Sequence, residues 1–104
     1  MKKLLMLLLL WAPLVMAQSL WIDVRTAEEF QAGHLEGAIH IPYDEIAEKI
    51  QAVSADKTAD IQLYCRSGRR SGIALETLRS MGYSKVTNAG AYEHLKQKQA
   101  QSNE

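Results

Sequence analysis

The sequence predicts an α/β fold, a small, mostly parallel sheet flanked by helices on both faces. Two observations carry this expectation. Short apolar runs of strand length alternate along the chain with segments whose apolar residues recur at helical spacing. These segments are bounded by prolines, glycines and charges, which fixes where most of them stop. Length adds a bound: 104 residues suit one domain, and no internal repeat, second domain or Gly/Ser linker is visible.

The first seventeen residues stand apart from that domain. "MKKLLMLLLLWAPLVMA" begins with Lys2 and Lys3, continues as an apolar run from Leu4, and places Val15 and Ala17 where a signal peptidase reads. Pro13 interrupts the run, which is short for a membrane span of about 20 residues. No cysteine follows it to carry a lipid anchor. Residues 1–17 are therefore expected to be a cleaved secretory signal peptide, with Gln18 the new N-terminus and no stable membrane anchor. Residues 18–104 form the single domain, expected to end in a polar tail from about residue 97. That part keeps all twelve acidic and ten of the twelve basic residues, a net charge of −2. Such a balance argues against a nucleic-acid or polybasic membrane partner.

Within the domain, "LWIDVR" (20–25) reads as a buried strand ending in charge. Thr26 and Glu29 match a capping box that opens a short helix, closed by Gly33. "GAIHIP" (37–42) is a second strand, stopped by Pro42. "DEIAEKIQAV" (44–53) spaces Ile46, Ala47, Ile50 and Val53 along one helical face. A polar connection over 54–60 leads to a third strand, "IQLYC" (61–65). Ile73, Ala74, Leu75, Leu78 and Met81 then mark a helix beginning near Ser71 and stopped at Gly82. "KVTNAG" (85–90) is a last strand and turn, and "AYEHLKQK" (91–98) a final helix.

"YCRSGRRSG" (64–72) is where chemistry is expected. Cys65 is the only cysteine, so it cannot form an internal disulfide. It ends a strand of an α/β sheet, the edge at which ligands bind in such folds. Gly68 gives the adjoining loop the freedom to curl. Amides of residues 66–71 can then converge above the positive end of a helix dipole and stabilise an anion, first of all the cysteine's own thiolate. Arg66, Arg69 and Arg70 make the surroundings electropositive. Taken singly, a cysteine ending a buried strand is a small core residue, and arginines in a turn are solvated. Their combination at a strand–loop–helix junction favours the functional reading.

"DVR" (23–25), "GHLEGAIHIP" (33–42), "YCRSGRRS" (64–71) and "LRSMGYSKVTNAG" (78–90) occur in the order and spacing of a single-domain rhodanese, which the chain therefore resembles. The resemblance spans essentially all of residues 18–104, and implies the rhodanese-like fold and a thiosulfate sulfurtransferase. It implies Cys65 as the nucleophile that takes the outer sulfur of thiosulfate as a persulfide and passes it to cyanide or a thiol. Arg66, Ser67, Gly68, Arg69, Arg70 and Ser71 then form the substrate-binding loop, with no metal and no cofactor. Together with the leader, it implies an exported, periplasmic enzyme whose length and composition are compatible with a monomer. Two alternatives stay open: a phosphatase or arsenate reductase with a cysteine cradle, and a non-catalytic module that binds a protein partner. The cradle of the former needs Cys-(X)5-Arg for a bidentate clasp, and residue 71 is serine. His34 and His40 are expected to be structural, Asp23 and Arg25 to tie the first strand to its neighbours, with Arg25 bordering the site. Ala91 stands where the family usually has a second glycine, and the usual tryptophan after it is missing, which changes the rim of the pocket.

Overall fold

Residues 18–102 are described by the structure, a computed structural model. The expected signal peptide, residues 1–17, lies outside the described residues. Four strands, β1 (Leu20–Asp23), β2 (Ile39–His40), β3 (Ile61–Cys65) and β4 (Val86–Ala91), form one sheet in the order β2-β1-β3-β4. Every pairing is parallel. Helices α1 (Ala27–Ala32), α2 (Ile46–Val53), α3 (Arg69–Ser80) and α4 (Tyr92–Ser102) fill the crossovers and the C-terminus. Parallel strands need such crossovers because a tight hairpin cannot join them.

Side-chain alternation along the strands assigns the two faces. Ile22 of β1 and Ile61, Leu63 and Cys65 of β3 point to one layer. There they join Ile46 and Ile50 of α2 with Ala74 and Leu78 of α3, all without solvent exposure. Trp21 and Tyr64 point the other way, where the Tyr64 ring lies 6.0 Å from Tyr92 of α4 and 6.5 Å from Trp21. The Leu35 amide donates to the Tyr64 hydroxyl at 3.0 Å. Each burial of a large aliphatic side chain contributes about 1.5–3 kcal/mol.

Three local expectations shift. The third helix opens at Arg69, two residues before Ser71, because Gly68 adopts φ +99° as its N-cap and the arginines, good helix formers, continue straight into the first turn. Ile73 is 42% exposed and Val53 37%, so the buried stripes of α3 and α2 are narrower than their apolar residues suggested. The polar stretch from 97 is helix as far as Ser102, with no glycine or proline to stop it. Gln99 there accepts from the Glu36 amide at 3.2 Å, which ties α4 to the segment before β2.

The capping box forms as expected. Thr26 Oγ1 accepts from the Glu29 amide at 3.2 Å, and Glu29 Oε1 accepts from the Thr26 amide at 2.9 Å. His34 Nδ1 contacts the Phe30 carbonyl at 2.8 Å, and His40 Nε2 the Arg25 carbonyl at 2.7 Å. Both rings stack on Phe30. His34 braces the turn after α1, and His40 ties β2 to the segment that follows β1.

Candidate functional site

β3 runs between β1 and β4, so its last residue, Cys65, reaches the carboxyl edge of the sheet at its centre. Gly68 sets the path of the chain beyond it. Its positive φ turns the backbone within three residues and swings its own N–H back to 2.9 Å from Cys65 Sγ. A side chain at 68 would be strained by that conformation. Ser71, fully buried on the first turn of α3, places Oγ 3.5 Å from the same sulfur. The sequence groups Cys65, Ser67, Gly68 and Ser71 on one loop, and the fold gathers them.

Two opposed effects act on the thiol. Burial pushes its pKa up by disfavouring the thiolate. The Ser71 hydroxyl and the amides of Ser71, Ser67 and Gly68 pull it down, and they prevail, leaving the thiol below its ordinary value. The arrangement lowers a thiol's pKa through oriented dipoles, as a site for an activated nucleophile requires.

The three loop arginines part company. Arg66 is exposed and lines a cleft of about 470 Å³ with Arg25, Glu29, Gly33, Tyr92 and Lys96. Arg69 is exposed on the helix and does not line that cleft. Neither pairs with a carboxylate among the described residues. Arg70 does: its guanidinium grips both Glu29 oxygens, at 2.8 and 3.1 Å. That clasp, opposed by partial burial and helped by the Thr26 donors, lowers the Glu29 carboxyl from 4.5 to about 2. Arg70 is thus a link between α3 and α1, with its charge already matched.

Arg25 is both structural and a wall of the site. It forms a buried pair with Asp23, donates to the Gly33 carbonyl at 2.7 Å and lies 4.3 Å from the Tyr92 ring centre. Cys65 itself has no exposed surface, so it forms the floor beneath the 66–68 turn rather than the wall of the cleft.

Two residues of the site escaped the sequence. Glu29 announced itself only as a helix cap, and its reach across to Arg70 is a tertiary contact. Asn88 lies in the turn-like "TNAG", yet it enters β4 and a bulge redirects it. Leu63 pairs with Asn88 but Tyr64 pairs with Gly90, so Ala89 is an extra residue in the strand. Asn88 Oδ1 accepts from Ser71 Oγ at 2.7 Å, and its Nδ2 donates to the Gly68 carbonyl at 2.9 Å. Among the described residues no group of acidic, histidine or cysteine side chains is arranged to hold a metal.

Comparison with known proteins places this arrangement among relatives. A family model described as "Rhodanese-like domain" matches residues 9–98. The Escherichia coli K12 protein named thiosulfate sulfurtransferase PspE is 44% identical over 94 residues, covering 90% of each chain. Among solved structures, a rhodanese with anions from E. coli superimposes with a TM-score of 0.71 at 45% identity, over 73% of this chain and 89% of the other. A human single-domain sulfurtransferase, TSTD1, gives 0.68 at 27% identity, over 94% and 93%.

Proposed function

The chain belongs to the rhodanese family, and from that membership we propose that it is an exported thiosulfate sulfurtransferase with Cys65 as its nucleophile. One observation supports this above the others: the sulfur sits at the focus of donors, with the Gly68 N–H at 2.9 Å and the Ser71 hydroxyl at 3.5 Å. Such a focus lowers the thiol pKa and then accommodates a charged sulfur species in the same place.

Two displacements at sulfur complete the reaction, and they balance. The Cys65 thiolate attacks the outer sulfur of thiosulfate, forming a new S–S bond. The S–S bond of thiosulfate breaks, and sulfite leaves with its electron pair. Cys65 then carries a persulfide. An acceptor nucleophile, cyanide or a thiolate, attacks the outer sulfur and returns the electron pair to Cys65 as thiolate. Cyanide leaves as thiocyanate, a thiol as its own persulfide. No net redox partner is needed. Arg66, exposed and without a carboxylate partner among the described residues, attracts the dianion toward the turn, and the amides of residues 66–71 receive it. Arg69 adds to the same field, while Arg70 shapes the loop through Glu29. Ser67 supplies an amide to the sulfur.

The test is direct. The purified protein is incubated with thiosulfate, its intact mass is measured, and cyanide is then added while thiocyanate is monitored. The expected result is a gain of one sulfur atom, absent in Cys65→Ser, and then thiocyanate release. A folded protein with a free thiol that gains no sulfur sinks the proposal, and turnover of an aryl phosphate in its place points to the phosphatase-type cradle. A chain that binds a protein partner but performs neither reaction points to the non-catalytic module.

Export rests on Lys2, Lys3, the apolar run and the Val15–Ala17 cleavage pattern. No helix among the described residues is long and apolar enough to cross a membrane. We place the working enzyme in the periplasm, with a small anion and a nucleophilic acceptor as its partners and a monomer as its form. N-terminal sequencing of protein recovered from that compartment is expected to begin at Gln18; intact Met1 on cytoplasmic protein overturns the assignment.

A further inference from the structure

Asn88 lies outside the Cys65 loop in sequence, yet its side chain touches that loop at two points. Its orientation is fixed by a third contact. The Gly90 amide, which can only donate, lies 3.1 Å from Oδ1, so this atom is the acceptor and Nδ2 the donor. Nδ2 therefore holds the Gly68 carbonyl at 2.9 Å. That carbonyl also accepts the first α3 hydrogen bond, from the Gly72 amide at 3.0 Å. The residue so held on its carbonyl side is the one whose N–H meets the sulfur. Its left-handed conformation links the two peptide planes, and a free glycine has the widest choice of others.

We propose that Asn88 is a positioning residue for the sulfur-transfer site: by clamping the Gly68 carbonyl it keeps the Gly68 N–H aimed at Cys65 Sγ. The proposal rests on the sulfurtransferase reading for its purpose but not for its geometry. The β4 bulge at Ala89 is the device that makes it possible, since it lets Asn88 and Gly90 turn inward together over the loop. Ser71 complicates the clamp. Its hydroxyl has one proton and two acceptors in reach, Asn88 Oδ1 at 2.7 Å and Cys65 Sγ at 3.5 Å. Removing Asn88 both loosens Gly68 and frees the Ser71 proton for the sulfur, and these effects oppose each other. Arg70 of α3, paired with Glu29 of α1, also acts on the charge of Cys65, and neither change removes a member of that pair.

The experiment separates them. Thiol ionisation is read from the pH dependence of iodoacetamide alkylation of the purified protein, with no thiosulfate present. Ser71→Ala is compared with Ser71→Ala/Asn88→Ala, so that no hydroxyl proton enters the comparison. The alkylation midpoint is expected to rise by about one pH unit in the double variant, the shift for losing one amide hydrogen bond to a charged sulfur. An unchanged or lower midpoint overturns the proposal. Asn88 is exposed, so its truncation leaves the core packed. Amide exchange at Gly68 in the single variant Asn88→Ala gives a second readout, expected to quicken by about tenfold or more; unchanged exchange there also overturns the proposal. A wild-type protein that takes no sulfur from thiosulfate, while both shifts appear, refutes the sulfurtransferase reading and leaves the clamp standing.

Discussion

Gly68 carries the sharpest demand of any single residue in the site. At φ +99° a β-carbon costs about 1–2 kcal/mol through backbone strain, its approach to the Gly90 backbone at 3.7 Å being ordinary contact. Gly68→Ala is therefore expected to lower unfolding free energy by about 1–2 kcal/mol in urea titration. Sulfur loading from thiosulfate is expected to fall much further, because the alanine variant relieves its strain by turning the N–H off the sulfur. Equal losses in both measurements would contradict the role given to this amide. The glycine was legible as a loop former from sequence. Its N–H was expected only as one of the amides of residues 66–71 around the thiolate; that it lies 2.9 Å from the sulfur is seen only in the fold. The same holds for Arg70. Local composition shows a basic loop, and only tertiary structure shows that Glu29, forty-one positions away, has already claimed one of its charges.

Helix α1 is six residues long, and few isolated helices of that length persist. Its N-terminus is secured by Thr26 and Glu29, and the same Glu29 ties it to the first turn of α3. The depressed carboxyl makes this link sensitive to pH. A group whose folded-state pKa lies below its unfolded value contributes stability that is fully present above the unfolded value. That contribution is lost as pH falls through the folded one. For Glu29 the window runs from 4.5 down to about 2. Glu29→Gln keeps an acceptor for the Thr26 amide but gives up the charge. Its unfolding free energy is expected to be about 0.5–1 kcal/mol lower at pH 7, with a flatter decline across that window than wild type in urea titrations at stepped pH. Parallel slopes for the two proteins would remove the pair from the account of acid stability. At the scale of elements the sequence was most informative. Alternating strand-length and helix-period segments gave all eight elements, and Thr26 and Gly82 marked true boundaries. It was blind to the bulge in β4, because Ala89 carries no side chain that announces an extra residue. With the bulge went Asn88.

At the scale of the molecule, residues 18–104 carry a net charge of −2 and yet present a basic rim at the carboxyl edge of the sheet. Arg66, exposed, lining the cleft and unpaired with any carboxylate among the described residues, is part of that rim. Arg66→Ala is expected to raise KM for thiosulfate several-fold and to weaken its dependence on ionic strength, since charges more than about 10 Å apart are screened at 0.1 M salt. Initial rates measured from low salt to about 0.5 M decide this, and an unchanged salt dependence would take Arg66 out of substrate capture. The parallel sheet explains why one edge collects everything: crossovers bring each strand back in the same direction, so Asp23, His40, Cys65 and Ala91 all finish together. The floor position of Cys65 has a consequence for what the protein resists. Thiol–disulfide exchange requires an attacking or attacked sulfur to be approached in line by another sulfur. A sulfur with no exposed surface, lying under the 66–68 turn, offers no such approach to a second folded protein. A solitary cysteine placed there is thereby kept from becoming a cross-link to another folded protein.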